Sequence, residues 1–240
     1  MAERPVFISK MEKEYVEVKT IKFEWFPGFA VKQKQKSIES FHQNIKNQYP
    51  NLNILEISSK SNKELGVALS AFNLMIKTKN NKQFSVETAF QASKVFEFGG
   101  PYIDLYEKSS KEAKKDPRIK NSGKLLYFQF FDRRWKLEPK TLFYDWLYIN
   151  ALSFNSELAK QVINFDAFTD IEFNPQKSIN CQAKSVALYV SLYKMNLLNN
   201  ALKSVDNFKE LVIKQNYKQN NNNVKNNSKY EQLSIFDEMN

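Results

Sequence analysis

The chain has 240 residues, 42% hydrophobic and 14% aromatic, enough apolar material for one large core or two small ones. One cysteine, Cys181, excludes an internal disulfide and a multi-cysteine zinc site, and one histidine, His42, makes any Ser-His-Asp or Cys-His chemistry depend on a single residue. The 36 Lys and Arg against 26 Asp and Glu leave a net charge of +10, which suits a phosphate-rich partner such as nucleic acid and equally suits a solvated lysine surface.

No run of about 18 apolar residues occurs, and the opening MAERPVFISKMEKEY lacks the apolar stretch of a secretion signal, so a cytoplasmic protein without a membrane partner is expected. Glu14 to Trp25 alternates as a strand until Phe26-Pro27-Gly28 breaks it. Ile38, Phe41 and Ile45 recur at helical spacing over residues 32 to 48, and His42 sits in that lysine-rich pattern as a surface residue. Asn53 to Ile57 reads as a short buried strand. Leu69 to Lys77 and Lys82 to Phe84 flank the turn Lys79-Asn80-Asn81 as a hairpin.

The hairpin leads into SVETAFQASKVFEF, residues 85 to 98, with Ser85 as N-cap and Gly99-Gly100-Pro101 as stop. At about 100° per residue, Val86, Ala89, Phe90, Ala92, Val95 and Phe96 cover most of the circumference, which predicts a helix buried nearly all round. Glu87, Gln91 and Lys94 fall at i, i+4 and i+7 on one stripe. Burying a carboxylate and an amine costs several kcal/mol unless they pair or line a polar cavity, so the stripe either reaches solvent or forms a pocket wall with an acid/base and an amine.

Further on, Ser110 caps a short helix over Lys111 to Lys115, and Lys124 to Phe131 reads as a strand with Trp135 in the loop beyond. Pro139 opens an apolar helix over Thr141 to Leu152, and another helix covers Glu157 to Val162. The polar stretch Asp166 to Asn180, interrupted by Pro175, reads as a long loop of the kind that carries function. Helices over Cys181 to Met195 and Ala201 to Lys214 complete the core pattern. Residues 215 to 230 are nearly all Asn, Gln, Lys and Ser and read as a disordered linker, with EQLSIFDEMN, residues 231 to 240, as a terminal docking peptide. The expectation is a single compact, mainly helical α+β domain with small strands over residues 1 to 214, followed by this tail.

Four segments, LGVALSAFNL (65 to 74), SVETAFQASKVFEFGGPYIDL (85 to 105), LEPKTLFYDWLYINAL (137 to 152) and FTDIEFNPQKSINCQAKSVALYVSL (168 to 192), together resemble the NADAR family, and more closely the NADAR antitoxins that accompany DarT-type DNA ADP-ribosyltransferase toxins. The family's Leu-Ser-x-Phe and Glu-x-x-x-Gln-x-x-Lys pattern stands here as Leu69, Ser70, Phe72 and Glu87, Gln91, Lys94. The resemblance implies a hydrolase that removes ADP-ribose from the guanine amino group in ADP-ribosylated DNA, expected to be single-stranded, with the toxin as genetic partner; the residue inventory implies no metal, and no other cofactor is expected. It places Phe72 and Asn73 at the ADP-ribose pocket, Gln91 on polar groups, Trp135 and Trp146 as stacking surfaces, and Asp170 and Asn180 as the family's late Asp and Asn.

Around 168 to 182 the chain lacks the wider family's Trp-Gly-rich version, so these last two transfer less directly. Lys94 is the expected nucleophile at C1 of the ribose and Glu87 the proton carrier, with Asp170 as a third catalytic residue. Other readings stand beside these: Glu87 pairing with Lys94, Asp170 as a helix cap, and Trp146 as core, whereas Trp135, among Arg133, Arg134 and Lys136, reads as a ligand contact. Gln232-Leu233-Ser234-Ile235-Phe236 resembles the bacterial sliding-clamp-binding pentapeptide, which makes the clamp a candidate partner through Gln232, Leu233, Ile235 and Phe236. The competing functions are an N-glycosidase of a small ribosylated metabolite and a non-enzymatic antitoxin that masks the toxin.

Overall fold

Alternation along three strands builds the first layer. In β1 (Ala2–Ser9), Val6 and Ile8 point to one face and Phe7 to the other; Ile54 and Leu55 of β3 (Ile54–Glu56) divide in the same way, as do Ala167 and Phe168 of β9 (Ala167–Thr169). With β2 (Val16–Phe23) they form a sheet of order β2-β1-β9-β3, antiparallel except for β9 on β3. One face packs on α1 (Val31–Gln48) through Ile38, Phe41 and Ile45, the residues that the helical spacing selected. The other face packs on α8 (Gln182–Lys194), which with α6 (Leu142–Phe154) is apolar on nearly all sides and forms the centre of the larger core. The protein is thus an α+β domain of helices and small sheets. Residues 1–78 and 80–213 are described in this computed structural model, so the linker and docking-peptide readings for 215 to 240 lie outside the described residues. Among the described residues no helix is long and apolar enough to cross a membrane.

A second set of elements surrounds the start of the central helix. After α2 (Glu64–Ala68), the hairpin of β4 (Met75–Lys77) and β5 (Gln83–Ser85) runs into α3 (Val86–Ala92). Ser85 caps α3, its hydroxyl accepting from Thr88 N at 3.0 Å, and every residue of α3 is buried, as periodicity predicts. The expected helix to Phe98 is corrected. α3 stops at Ala92, and Lys94 opens β6 (Lys94–Phe96), which pairs with β7 (Leu125–Phe130), itself paired with β8 (Arg133–Trp135). Ser93 turns the chain, its hydroxyl bonded to Ala89 O at 2.7 Å and its carbonyl to Gln129 N at 2.7 Å. The glycine pair serves a tight turn after β6 and not a helix end: Phe96 N donates to Gly99 O at 2.7 Å, Gly100 has φ +96°, and a Cβ there would stand 2.2 Å from Lys94 O.

A 3-10 turn (Ile103–Glu107) leads to α4 (Ser110–Lys115) and α5 (Arg118–Asn121). Ser109, not Ser110, caps α4, in a reciprocal pair with Glu112. The expected loop from Asp166 to Asn180 is overturned over its first residues, because β9 there is an inner strand of the sheet. Trp135 leaves its expected loop for β8. After α7 (Ser156–Val162), the last helical pattern divides into α9 (Leu198–Leu202) and α10 (Val205–Ile213). His42 is half-buried, its Nε2 2.8 Å from Thr169 Oγ1, which corrects the surface reading.

Candidate active site

The N-terminus of α3 is fixed from beneath. Glu87 N donates to Ala71 O at 2.8 Å and Val86 N to Leu74 O at 2.9 Å, so the loop that carries Phe72 and Asn73 is tied to the helix that carries Glu87. Gln182 holds the same loop from α8: its Oε1 accepts from Ala71 N at 2.6 Å and its Nε2 donates to Ile57 O at 2.6 Å. Ser110 Oγ, one residue inside α4, donates to Phe72 O at 2.7 Å. Phe72 is half-exposed; Asn73 is exposed and its amide is bonded to Val67 O at 2.9 Å.

On this frame the three polar residues of the α3 stripe form one hydrogen-bonded run, although Lys94 lies on a strand. Gln91 Nε2 donates to Glu87 Oε1 at 2.9 Å, and Lys94 Nζ donates to Gln91 Oε1 at 2.7 Å. Glu87 and Gln91 are each only 6% exposed. The Lys94 amine stands 4.9 Å over the Phe90 ring, and burial draws its pKa down from 10.5 to about 8, against the attraction of Glu87 and with help from Lys114. Glu87 meets its ion-pair partner on α4, where Lys114 Nζ lies 3.6 Å from Glu87 Oε1 and 4.9 Å over the Phe72 ring. The alternative reading, Glu87 paired directly with Lys94, gives way to an amide between them. Tyr144 of α6, edge-on to Phe90 at 5.2 Å, feels both Glu87 and Asp170, and burial drives its phenol pKa well upward.

Asp170 lies at the end of β9, buried, accepting from Glu172 N at 3.0 Å; burial first, then the nearby Glu56, raises its carboxyl pKa well above the usual range. Gln182 links it to the Ala71 frame. Asn180 is half-buried in the following loop, its carbonyl accepting from Ser178 Oγ at 3.1 Å. The two tryptophans stand apart from the run. Trp135 and Trp146 are each 3% exposed and packed on one another at 4.8 Å, with Phe143 against Trp135 at 5.3 Å, so neither offers a free face to a base. Their expected stacking role gives way to core packing.

A cleft of about 410 Å³ lies on the other flank of α3, between the β4–β5 hairpin and the start of α4, lined by Phe84, Ser85, Tyr106 and Ser109 among others; it includes none of Glu87, Gln91 and Lys94. Among the described residues no group of three or more His, Cys, Asp or Glu side chains stands where it could hold a metal ion. The site is instead a lysine of lowered basicity, an amide and a carboxylate on one wall. Lys114 and Tyr144 escaped the sequence reading: Lys114 sits in the charge run KEAKK and Tyr144 in an apolar helix.

The family model for NADAR-DarT1, described as DarT1-associated NADAR antitoxin, matches residues 2–222. The chain belongs to that family of antitoxins, with DarT1 as the associated toxin. Among curated proteins none matches.

Proposed function

We propose that the protein hydrolyses the bond between ADP-ribose and the amino group of guanine in DNA, reversing the modification made by its associated toxin. The observation that supports this best is the run Glu87–Gln91–Lys94, in which a buried amine of lowered pKa is held on a neutral partner and so is a nucleophile near neutral pH. Lys94 Nζ, as free amine, bonds to C1 of the ribose while the bond from C1 to the guanine nitrogen breaks. The amine loses one proton and the leaving nitrogen gains one, carried by Glu87. The aminal N–H proton then passes to the ring oxygen as the ring opens to an imine. Water adds to that imine, the C1–Lys94 bond breaks, and ADP-ribose leaves with the amine restored. Phe72 and Asn73, at the mouth beside Glu87, bind the ADP-ribose, and Asp170 and Asn180 border the site from the loop after β9. The net charge of +10 supports a nucleic-acid substrate over a small metabolite. The tail motif at Gln232 to Phe236 supports recruitment to the sliding clamp, tested by pull-down with residues 231 to 240 deleted.

The experiment is release of free ADP-ribose from a guanine-ADP-ribosylated single-stranded oligonucleotide, with Glu87→Ala and Lys94→Ala alongside and borohydride present. Release lost in both variants, with a reduced adduct on Lys94 in the wild type, is the expected result. Absence of release by the wild type overturns the proposal, and protection from the toxin that survives Lys94→Ala points to masking instead.

A further inference from the structure

Lys114 does no chemistry in the steps above, yet it is the cation nearest Glu87. The register of α4 against α3 is firmly set: Ser109 and Glu112 cap the helix reciprocally, and Ser110 Oγ is bonded to Phe72 O and lies 2.7 Å from Ser85 Oγ, the cap of α3. This brings the Lys114 ammonium, on a side chain 55% exposed, over the mouth to a carboxylate whose side chain is 8% exposed. Glu87 Oε1 is then flanked on both sides, ion-paired with Lys114 from outside and accepting a hydrogen bond from the Gln91 amide from within. Because the Gln91 nitrogen is committed to Glu87, its oxygen faces Lys94.

We propose that Lys114 is the positioning residue of this site: pairing with Glu87 from the surface helix, it holds the carboxylate outward, orients Gln91, and leaves the Lys94 amine on a neutral acceptor. The inference rests on the reading of Lys94 as nucleophile. The charged groups that act on Lys94 are Glu87 from α3 and Lys114 from α4, with opposite effects. Phe90 beneath it and Phe128 across β7 carry no charge. Without Lys114 the nearest cation left for Glu87 is Lys94, and an ammonium paired with a buried carboxylate gives up its proton less readily.

The test needs no substrate: the full chain is acylated with a lysine-selective reagent at graded pH, and labelling at Lys94 is read by peptide mass spectrometry. In the wild type the midpoint should lie near pH 8. Lys114→Gln should raise it by at least about half a pH unit, and Lys114→Arg should restore it. An unmoved midpoint in Lys114→Gln overturns the inference, as does a shift that arginine fails to reverse. A midpoint that moves as expected in a protein that releases no ADP-ribose from the oligonucleotide refutes the hydrolytic reading and leaves the positioning role standing.

Discussion

The Lys94 amine donates to Gln91 Oε1 at 2.7 Å and has no carboxylate within ion-pair distance among the described residues, although Glu87 is only one amide further along the run. An amide cannot neutralise a buried ammonium as a carboxylate can, so burial prevails and the amine pKa settles near 8. If Lys94 acts as free amine, turnover should climb about tenfold per pH unit below pH 8 and level off above it. Initial rates between pH 6 and 9.5 check this, and a flat profile would count against Lys94 as the titrating nucleophile.

The same burial has a stability consequence. The folded pKa lies below the unfolded 10.5, so the folded state is penalised for the Lys94 charge below about pH 8, and the penalty fades as pH rises from 8 towards 10.5. Lys94→Met should therefore be inactive and, at pH 7, about 1–2 kcal/mol more stable than the wild type, the lost Gln91 contact offsetting part of the gain. Denaturant titrations at pH 7 and pH 10 should show this advantage shrinking at the higher value. A less stable variant at pH 7 would mean that the amine is not desolvated as the geometry indicates.

Legibility followed locality. Ser85 as cap and the all-round burial of α3 are written in adjacent residues, and the Glu87–Gln91–Lys94 contacts could be anticipated from spacing even though the helical reading ran too far. What ended the helix was not local: Lys94 to Phe96 are drawn off by pairing with β7, some thirty positions later in the chain. β9 was hidden for the same reason, being three residues in a polar stretch whose partners lie in β1 and β3. β1 carries Pro5, which argues against an inner strand; the structure accommodates it because β9 pairs only with Phe7 and Ile8, leaving the Pro5 side of β1 as an edge. Trp135 was misplaced by its basic neighbours, since Arg134 points outward over Tyr127 at 4.1 Å while the indole points inward.

Gln182 is the brace of the loop that carries Phe72 and Asn73. Gln182→Ala leaves Ala71 N–H and Ile57 O without their 2.6 Å partners, which should cost about 1–3 kcal/mol of stability. Because Ala71 also receives Glu87 N, the loop bearing Phe72 should loosen, raising KM for the modified oligonucleotide more than it lowers kcat. Thermal unfolding and steady-state kinetics measure the two effects, and unchanged values for both would show that water replaces the side chain fully.

His42 offers a prediction independent of catalysis. Thr169 Oγ1 donates to Glu56 Oε2 at 2.6 Å, which leaves its lone pairs to accept from His42 Nε2 at 2.8 Å and fixes the neutral ring with hydrogen on Nε2. Burial, then Lys63 and Lys46, lower the imidazole pKa to about 4 from 6.5. The unfolded chain therefore binds a proton at this residue that the folded one does not take up until lower pH, so stability should fall as pH drops from 6.5 towards 4. The buried Glu56 and Asp170, with carboxyl pKa values raised by burial, act in the opposite sense over part of that range. His42→Gln retains a donor towards Thr169 and removes only the titration, so the difference between wild type and variant isolates the ring. The wild type should lose about 1–2 kcal/mol more than His42→Gln between pH 6.5 and 4. Urea unfolding at intervals across that range decides it, and parallel curves for the two proteins would show that the imidazole takes up its proton equally in both states.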